Sequence, residues 1–553
     1  MIISFILIPI LIISFYLSLK GLGFFFSKIL FGDEFDINPS IYALFSLPII
    51  FFLVTTIHLF TRLNPVINLI IILFGLLVYF LKVKKSENII FYSIIIFILS
   101  IQFYGHNVNE DYGYYHLPYI INFISDKIII GLYHLSMVQG YNSAWLNTSA
   151  FFYLPFFNDK TIHFANSVLF FSLLIFYFGY LFNKKNLLNF PISTLYSLLA
   201  LTFFITKNSR LNSFGVDVPG HIYASVVLFL FINFFENKDF LNKKKIFYLL
   251  SIFSIFCIFI KLSYAPFILF PIICLFYEKY VLDKKIFTII LIFGFSWVVQ
   301  QISYTSCVVF PVEFTCFKSL SWYSKNFIAD AAFGLEIINK SHWQYEGNLS
   351  DNEYIKNFNW LNTWFKRNFI ELLENIMTYL FPCILLLIYS LKKKSKIVDF
   401  NRSNIIKILL LISIPISLGF LIWFTKAPVV RYGIFYINSL IFIIFLFIFH
   451  NVVFNNFDRK FIISILLISV SFNLLKNLNR IIKIEDYNDY PFPKITKIIY
   501  ETKKVEEFNL NSPIPQGNIE STVCWNTPVY CMAGKFDGIN LKRVNNYTII
   551  NQN

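Results

Sequence analysis

Two adjacent acidic residues, Glu110 and Asp111, lie in the segment NVNEDYGYYHLPYI, just after a long apolar stretch. Charged side chains are costly in or near hydrocarbon, so their presence here calls for an explanation. A carboxylate at this position can take a proton from an incoming hydroxyl group. The pair could also bind a divalent cation such as Mg²⁺ or Mn²⁺ through oxygen, although two residues offer too few ligands to identify a metal. The alternative is an interfacial belt of tyrosines capped by two solvated acids.

Three basic residues are predicted on the same side of the membrane. Arg210 lies in TKNSRLNSFGVDVPGH, Lys261 opens KLSYAPF, and Arg431 lies in TKAPVVRYG. Phosphate is a natural partner for such residues, because arginine offers a bidentate fork and lysine a point charge. Two alternatives remain open: Arg431 could be a helix-end charge that extends to the membrane surface, and Lys261 could pair with a carboxylate such as Asp217.

The elements that carry these residues are predicted to be membrane helices. Of the 553 residues, 57% are hydrophobic and 14% are charged, whereas a soluble protein has about 25% charged residues. Stretches such as IYALFSLPIIFFLVTTIHLF are apolar on every face, and barrel strands would instead alternate apolar and polar residues. The composition therefore predicts an all-α polytopic membrane protein.

Apolar runs of about 20 residues are long enough to cross a membrane as helices. We count fourteen of them, near residues 1–19, 41–60, 65–82, 88–104, 162–182, 189–205, 219–235, 246–261, 263–279, 286–304, 371–391, 404–424, 434–451 and 460–475. Almost nothing separates the run at 246–261 from the run at 263–279, so this pair could be one broken helix or a tight re-entrant hairpin.

Short basic clusters between the runs predict the orientation. They are Lys82 with Lys84 and Lys85, Lys184 and Lys185, Lys238 with Lys243 to Lys245, Lys284 and Lys285, Lys392 to Lys394 with Lys396, and Arg459 with Lys460. The positive-inside rule assigns them to the cytoplasm. The net charge of +15 follows from this pattern and does not indicate a nucleic-acid partner.

With these clusters inside, both chain termini and most of the polar chemistry lie outside. The outer segments are 105–161, 206–218, 305–370, 425–433 and a tail from 476 to 553. Long loops of this kind are usually functional. We find no internal repeat, which argues against a secondary transporter built from two related halves. Residues 1–475 are predicted to form the membrane domain, with the tail as a separate extracytoplasmic segment.

The cysteines agree with this orientation. Cys307 and Cys316 share one outer segment, and Cys524 and Cys531 share the tail. Each pair could close a small disulfide ring in an oxidising compartment, although four free thiols are the alternative. Three more cysteines, at 257, 274 and 383, fall within predicted spans and are expected to be core residues.

The arrangement resembles the GT-C-fold glycosyltransferases, multispanning enzymes with an acidic pair in their first large outer loop. The segments NEDYGYYHLPYI and APVVRYG carry this resemblance, and the latter is similar to the late loop in which such enzymes place a phosphate-binding arginine beside a tyrosine. Together with SRLNSFGVDVPG, CVVFPVEFTCF and CWNTPVYC, they also resemble a group of functionally unsettled bacterial membrane proteins over about residues 88–535. In this chain the acidic loop follows the fourth span, and a large soluble C-terminal domain is lacking.

The resemblance implies transfer of a sugar from a polyprenyl-phosphate carrier to an extracytoplasmic glycan, lipid or protein, at the outer face of the bacterial inner membrane. Asp111 would be the general base, or a metal ligand with Glu110. Donor binding would involve Arg431, Lys261, Arg210, His116, Tyr115, Asp217 and Tyr432.

Other functions remain open. A flippase or transporter of a lipid-linked saccharide needs the same cations but no base, and transport of an anion gains nothing from carboxylates beside its path. A polysaccharide polymerase or ligase is a closer alternative, and a non-catalytic assembly protein is a third. The acidic pair favours the transferase.

Overall fold

The chain folds as a bundle of long helices. The computed structural model describes residues 2–33, 37–83, 89–105, 111–157, 159–183, 191–207, 211–212, 215–279, 283–341, 349–392, 402–454, 459–484, 490–493, 495–516, 522–532 and 538–552. Two of the predicted site residues, Glu110 and Arg210, lie outside these ranges.

The first half of the described chain contains ten α-helices. They are α1 (Ile2–Phe31), α2 (Tyr42–Phe60), α3 (Pro65–Val78), α4 (Ile89–Leu99), α5 (Ile101–Tyr104), α6 (Leu117–Ser125), α7 (Ala144–Ala150), α8 (Phe164–Leu181), α9 (Pro191–Lys207) and α10 (Asp217–Glu236). Those of the second half are α11 (Phe240–Ile260), α12 (Leu269–Tyr277), α13 (Lys284–Thr305), α14 (Lys325–Ser341), α15 (Asp351–Ile355), α16 (Leu361–Lys392), α17 (Arg402–Lys426), α18 (Val430–Phe454) and α19 (Arg459–Ile482).

Ten helices among the described residues are long and apolar enough to cross a membrane. They are α1, α2, α3, α8, α10, α13, α16, α17, α18 and α19, some extended by an adjoining helical turn. The chain is therefore a multi-pass membrane protein with mostly helical structure. The other four predicted spans coincide with the shorter or lysine-rich helices α4–α5, α9, α11 and α12, and the total of fourteen crossings stays a prediction.

The ambiguous pair at 246–279 forms a tight hairpin. Lys243 near the start of α11 pairs with Glu278 just beyond the end of α12, with 2.6 Å between Nζ and Oε1. The two segments therefore run antiparallel, and the chain reverses at Lys261, whose backbone is extended. A 3₁₀ turn over Leu262–Ile268 contains Pro266, which lacks the N–H group that a continuous α-helix would need. The reversal places the partly buried Lys261 side chain at one end of the bundle.

The C-terminal tail contains β-structure that the all-α prediction missed. Strands β1 (Tyr500–Val505) and β2 (Phe508–Pro513) pair antiparallel, as do β3 (Ile539–Val544) and β4 (Tyr547–Gln552). Each hairpin joins its strands through a short turn, so local pairing suffices to form it. Helix α19 continues to Ile482, so the helical part ends later than the predicted boundary at 475.

Several predicted outer segments meet at one end of the bundle. Ile130, in the acidic loop, donates its N–H to Thr548 O at 2.9 Å and accepts from Ile550 N at 2.8 Å. The Tyr133 hydroxyl donates to Trp322 O at 2.7 Å, which joins the acidic loop to the segment after α13. These contacts put the acidic loop, the second long loop and the tail on the same side.

Buried polar contacts attach the acidic loop to the bundle. The Tyr119 hydroxyl of α6 lies 2.9 Å from Asn147 Oδ1 of α7. The Asn147 amide group donates to Thr55 Oγ1 of α2 at 2.8 Å and to Gln300 Oε1 of α13 at 2.7 Å. A polar group without a partner is expensive away from water, so this network fixes the loop relative to two long helices.

Both predicted disulfides are present. Cys307 is bonded to Cys316 and Cys524 to Cys531. The remaining cysteines, at 257, 274 and 383, are free and buried, as expected for core residues. The native chain therefore carries no exposed free thiol.

This absence of exposed thiols makes the orientation testable by labelling. Phe156 in the acidic loop is 93% exposed, and Leu241 at the start of α11 is 64% exposed. We expect Phe156→Cys to react with a membrane-impermeant maleimide in intact cells, and Leu241→Cys to react only after permeabilisation, because the positive-inside rule places Leu241 in the cytoplasm. The unmodified chain is the control, and the opposite labelling pattern would invert the topology.

Candidate functional site

Arg431 connects two carboxylates from separate parts of the chain. Its Nε lies 3.2 Å from Asp217 Oδ2, and its Nη2 lies 3.7 Å from Asp111 Oδ2. Asp111 comes from the acidic loop, Asp217 begins α10, and Arg431 lies in the first turn of α18. Three segments that were predicted to lie outside are thus joined by one guanidinium group.

Lys261 completes the charged cluster from the turn between α11 and α12. Its Nζ lies 2.5 Å from Asp217 Oδ1 and 2.9 Å from the centroid of the Tyr432 ring. Lys261 and Asp217 are partly buried, with side chains 19% and 27% exposed. The pairing of Lys261 with Asp217, one of the two interpretations open from the sequence, is the one observed. We call Asp111, Asp217, Lys261 and Arg431 the charged cluster.

The charged cluster is balanced in formal charge, because two carboxylates face two cations. Arg431 nevertheless keeps donor capacity, since its side chain is 51% exposed. Its Nη2 also lies 3.5 Å from the Tyr432 hydroxyl, whereas Nη1 has no acceptor within the described part of the chain. An incoming anion could therefore bind Arg431 from the open side, while Asp217 continues to hold Nε.

The packing of α17 against α18 fixes the position of Arg431. The Trp423 indole near the end of α17 donates to Val429 O at 2.8 Å. A Cβ atom at Gly433 would lie 2.0 Å from the same indole, so only glycine lets the first turn of α18 approach this closely. Pro428 favours extended backbone for Ala427, the residue before it, which agrees with the end of α17 at Lys426.

His221 holds the main chain at Arg431. Its Nε2 lies 2.7 Å from Arg431 O, and its Nδ1 lies 2.7 Å from the Tyr264 hydroxyl. A carbonyl oxygen can only accept, so Nε2 carries the proton and Nδ1 accepts from Tyr264. His221 lies one helical turn after Asp217 on α10. One face of this helix therefore contacts the Arg431 side chain through Asp217 and the Arg431 backbone through His221.

Asp111 stands at the start of an unusual helical turn. Residues Tyr112–His116 form a π-helical turn that leads into α6. Such turns are rare and often occur at functional sites. The Asp111 side chain is 34% exposed, so a ligand bound beside Arg431 could reach it.

Two neighbours of Asp111 are neutral groups. Burial lowers the pKa of His116 to about 4, so its imidazole is uncharged near pH 7 and does not add to the cations. Burial, assisted by the charge of Asp111, raises the pKa of Tyr115 well above its usual value. Both residues lie within electrostatic range of Asp111, Asp217 and Arg431, and they can offer hydrogen bonds but not charge.

The divalent cation predicted for Glu110 and Asp111 stays a prediction. Asp111 lies 3.7 Å from the Arg431 guanidinium, whose positive charge would repel Mg²⁺ or Mn²⁺ at the same carboxylate. Within the described residues, no group of three or more His, Cys, Asp or Glu side chains could hold a metal ion. The predicted contribution of Glu110 stays a prediction, because that residue lies outside the described ranges.

Sequence reasoning gave no role to three residues that shape the site. Tyr264 lies in the quoted KLSYAPF segment, and His221 directly follows VDVPG, but their contact joins two helices. Tyr141 has a buried hydroxyl without a hydrogen-bond partner, and its phenol group lies within electrostatic range of Tyr114 and Tyr432. No local pattern in the sequence marks any of them.

We predict that the Asp217 carboxylate, which both Lys261 and Arg431 contact, stabilises the folded protein. Asp217→Asn keeps the shape of the side chain but leaves Lys261 and Arg431 without their common anion. We expect a loss of about 2 kcal/mol, less than the 3–5 kcal/mol typical of a fully buried pair, because the groups are partly exposed. The loss should appear as a lower melting temperature of the variant in detergent.

The matched control is Glu313→Gln, which removes an exposed pair with Lys318 at 3.7 Å. This variant should change the unfolding free energy by about 0.5 kcal/mol or less. Equal melting temperatures for the two variants would contradict the central role of Asp217.

Comparison with known proteins identifies the family but no activity. Searches of curated proteins and of solved structures found no match. The model of a family described as "Domain of unknown function (DUF8201)" matches residues 1–438, a range that includes the whole charged cluster. The chain therefore belongs to this family.

Proposed function

We propose that this protein is a GT-C-like membrane glycosyltransferase that moves a sugar from a polyprenyl-phosphate carrier to an extracytoplasmic glycan, lipid or protein. The observation that carries the proposal is the bridge from Arg431 to Asp111 and Asp217. It brings an acidic residue, an exposed guanidinium group and, through Asp217, the Lys261 ammonium group into one cluster.

The position of the cluster supports a lipid-linked donor. Asp217 and Arg431 lie in the first turns of two helices that are long and apolar enough to cross a membrane. A phosphate attached to a polyprenyl chain can reach such a boundary while its chain remains in the lipid. The proposed setting is the bacterial inner membrane, with fourteen crossings and the cluster at the outer face.

The proposed reaction is a single displacement at the anomeric carbon. An acceptor hydroxyl attacks this carbon and its proton passes to Asp111, while the bond to the phosphate oxygen breaks. The electron pair of that bond stays on the leaving polyprenyl phosphate. Arg431 and Lys261 stabilise its growing negative charge, and the configuration at carbon is inverted.

Donor binding would also release the base. Asp111 faces Arg431 at 3.7 Å, a distance longer than a good charge-assisted hydrogen bond. A phosphate on Arg431 would replace this weak contact and leave the Asp111 carboxylate for the acceptor hydroxyl. His116 and Tyr115 would supply neutral hydrogen-bonding groups for the sugar, and Tyr432 would keep Lys261 in place through the contact with its ring.

The alternative, a flippase for a lipid-linked saccharide, uses the same contacts differently. Arg431 and Lys261 would then bind the phosphate of a passing lipid, with no role for the Asp111 carboxylate. A base is unnecessary for transport, so the two functions differ in their need for the Asp111 carboxylate. A polymerase or ligase would share the transferase chemistry and differ in its acceptor.

The proposal predicts different effects for two substitutions. Asp111→Asn removes the base, so sugar transfer in reconstituted liposomes should fall by about 10²–10⁴-fold, while the donor lipid binds as well as before. Arg431→Ala should weaken donor binding, because it removes a charge-assisted contact to phosphate. Arg431→Lys should restore binding partly, since lysine lacks the bidentate fork. Transfer from a radiolabelled polyprenyl-phosphate sugar and donor binding are measured on the same samples.

The control is Glu313→Gln, an outer-loop carboxylate paired with Lys318 and not part of the charged cluster. Transfer by this variant should equal that of the unmodified protein. Unchanged transfer in Asp111→Asn would contradict catalysis by this residue. Loss of lipid flipping in Arg431→Ala, with flipping intact in Asp111→Asn, would support the flippase.

A further inference from the structure

The C-terminal tail reaches the acidic loop directly beside Asp111. The backbone N–H of Trp525 donates to Gly113 O at 2.8 Å. Its indole covers the Gly113 backbone so closely that a Cβ atom there would lie 2.4 Å from the ring. Only a glycine at position 113 permits this contact, because any side chain would overlap the indole.

The disulfide ring of the tail presents Trp525 in a fixed position. Trp525 follows Cys524, which is bonded to Cys531, and it is 1% exposed. Its φ of +45° is unfavourable for a bulky residue and persists where the surrounding structure imposes it. A side-chain hydrogen bond of 3.1 Å from Asn511 Nδ2 to Pro528 O attaches the ring to strand β2.

The other side of this segment is held by His163. The Nδ1 atom of His163 lies 2.6 Å from Asn212 O. Because a carbonyl oxygen only accepts, His163 Nδ1 carries the proton. His163 Nε2 therefore accepts a hydrogen bond from the Tyr112 hydroxyl at 3.1 Å. The Tyr112 ring also packs edge-on against the Trp525 indole, with 5.9 Å between centroids. Tyr112 and Gly113 are therefore fixed from two directions, and Asp111 is the residue directly before Tyr112.

We propose that Trp525 is a positioning residue for Asp111, and that the tail is thus a functional part of the site. The catalytic consequence of this inference rests on the proposed function. Trp525 holds the turn that carries Asp111, and Asp111 must face the acceptor hydroxyl while the donor phosphate lies on Arg431. A displacement of about 1 Å in such a group can cost up to 10²-fold in rate.

Two substitutions disturb the contact from opposite sides. Gly113→Ala adds a methyl group that must displace the indole, and Trp525→Ala removes the indole. Each should lower kcat for sugar transfer by about 10–100-fold with little change in the KM for the donor, because the phosphate contacts come from other elements. Amide exchange in the peptide 111–118, followed by mass spectrometry, should accelerate by about tenfold or more.

The double variant Gly113→Ala/Trp525→Leu separates positioning from general stability. The smaller leucine side chain makes room for the added methyl group, so the double variant should recover part of the kcat lost in Gly113→Ala. Two independent losses of stability would instead add. Glu507→Gln, which breaks an exposed tail pair with Arg543 at 3.2 Å, is the control and should alter neither kcat nor the exchange of 111–118.

The two readouts keep this inference distinct from the proposed function. If the unmodified protein transfers no sugar, the proposed function fails, and amide exchange in 111–118 still decides whether Trp525 holds this segment. Unchanged exchange in folded Trp525→Ala would overturn the inference. Additive losses in the double variant would also overturn it.

Discussion

The shared carboxylate of Asp217 is the interaction on which the charged cluster depends. Lys261 and Arg431 both contact it, at 2.5 Å and 3.2 Å, and without it these two cations would face each other at the edge of a low-dielectric region. Charges at such a boundary persist only when they are paired or hydrated. Asp217 therefore lets the Lys261 ammonium group and the Arg431 guanidinium group lie side by side.

This pairing requires that three separate helix ends meet within hydrogen-bonding distance. Three apolar helices have an end on the same side of the bundle. α11 ends at the chain reversal at Lys261, α10 begins at Asp217, and α18 begins at Val430. Gly433 and Trp423 set the approach of α17 to α18, and the bond from His221 to Arg431 O ties α18 to α10. The site is consequently built on rigid elements, which is what precise positioning of charge needs.

Asp111 is held differently, because it lies in a loop and not in a long helix. Its turn is fixed by the polar network around Asn147 and by Trp525 from the tail. Loops are the most mobile parts of most proteins, and two independent attachments compensate for this. Lys261, Asp217 and Arg431 are therefore held at the ends of long helices, whereas the position of Asp111 depends on the segments that pack against its turn.

The sequence predicted the membrane helices, both disulfide pairs and the residues of the charged cluster, because apolar length and charge next to it are local properties. The prediction missed the strands of the tail and left the 246–279 pair ambiguous, since short segments carry weak patterns. Packing in the folded chain showed that Lys261 pairs with Asp217, that Arg431 contacts Asp111, and that Trp525 covers Gly113. These contacts join residues far apart in the chain, and they depend on how helices and loops pack, which local sequence does not encode.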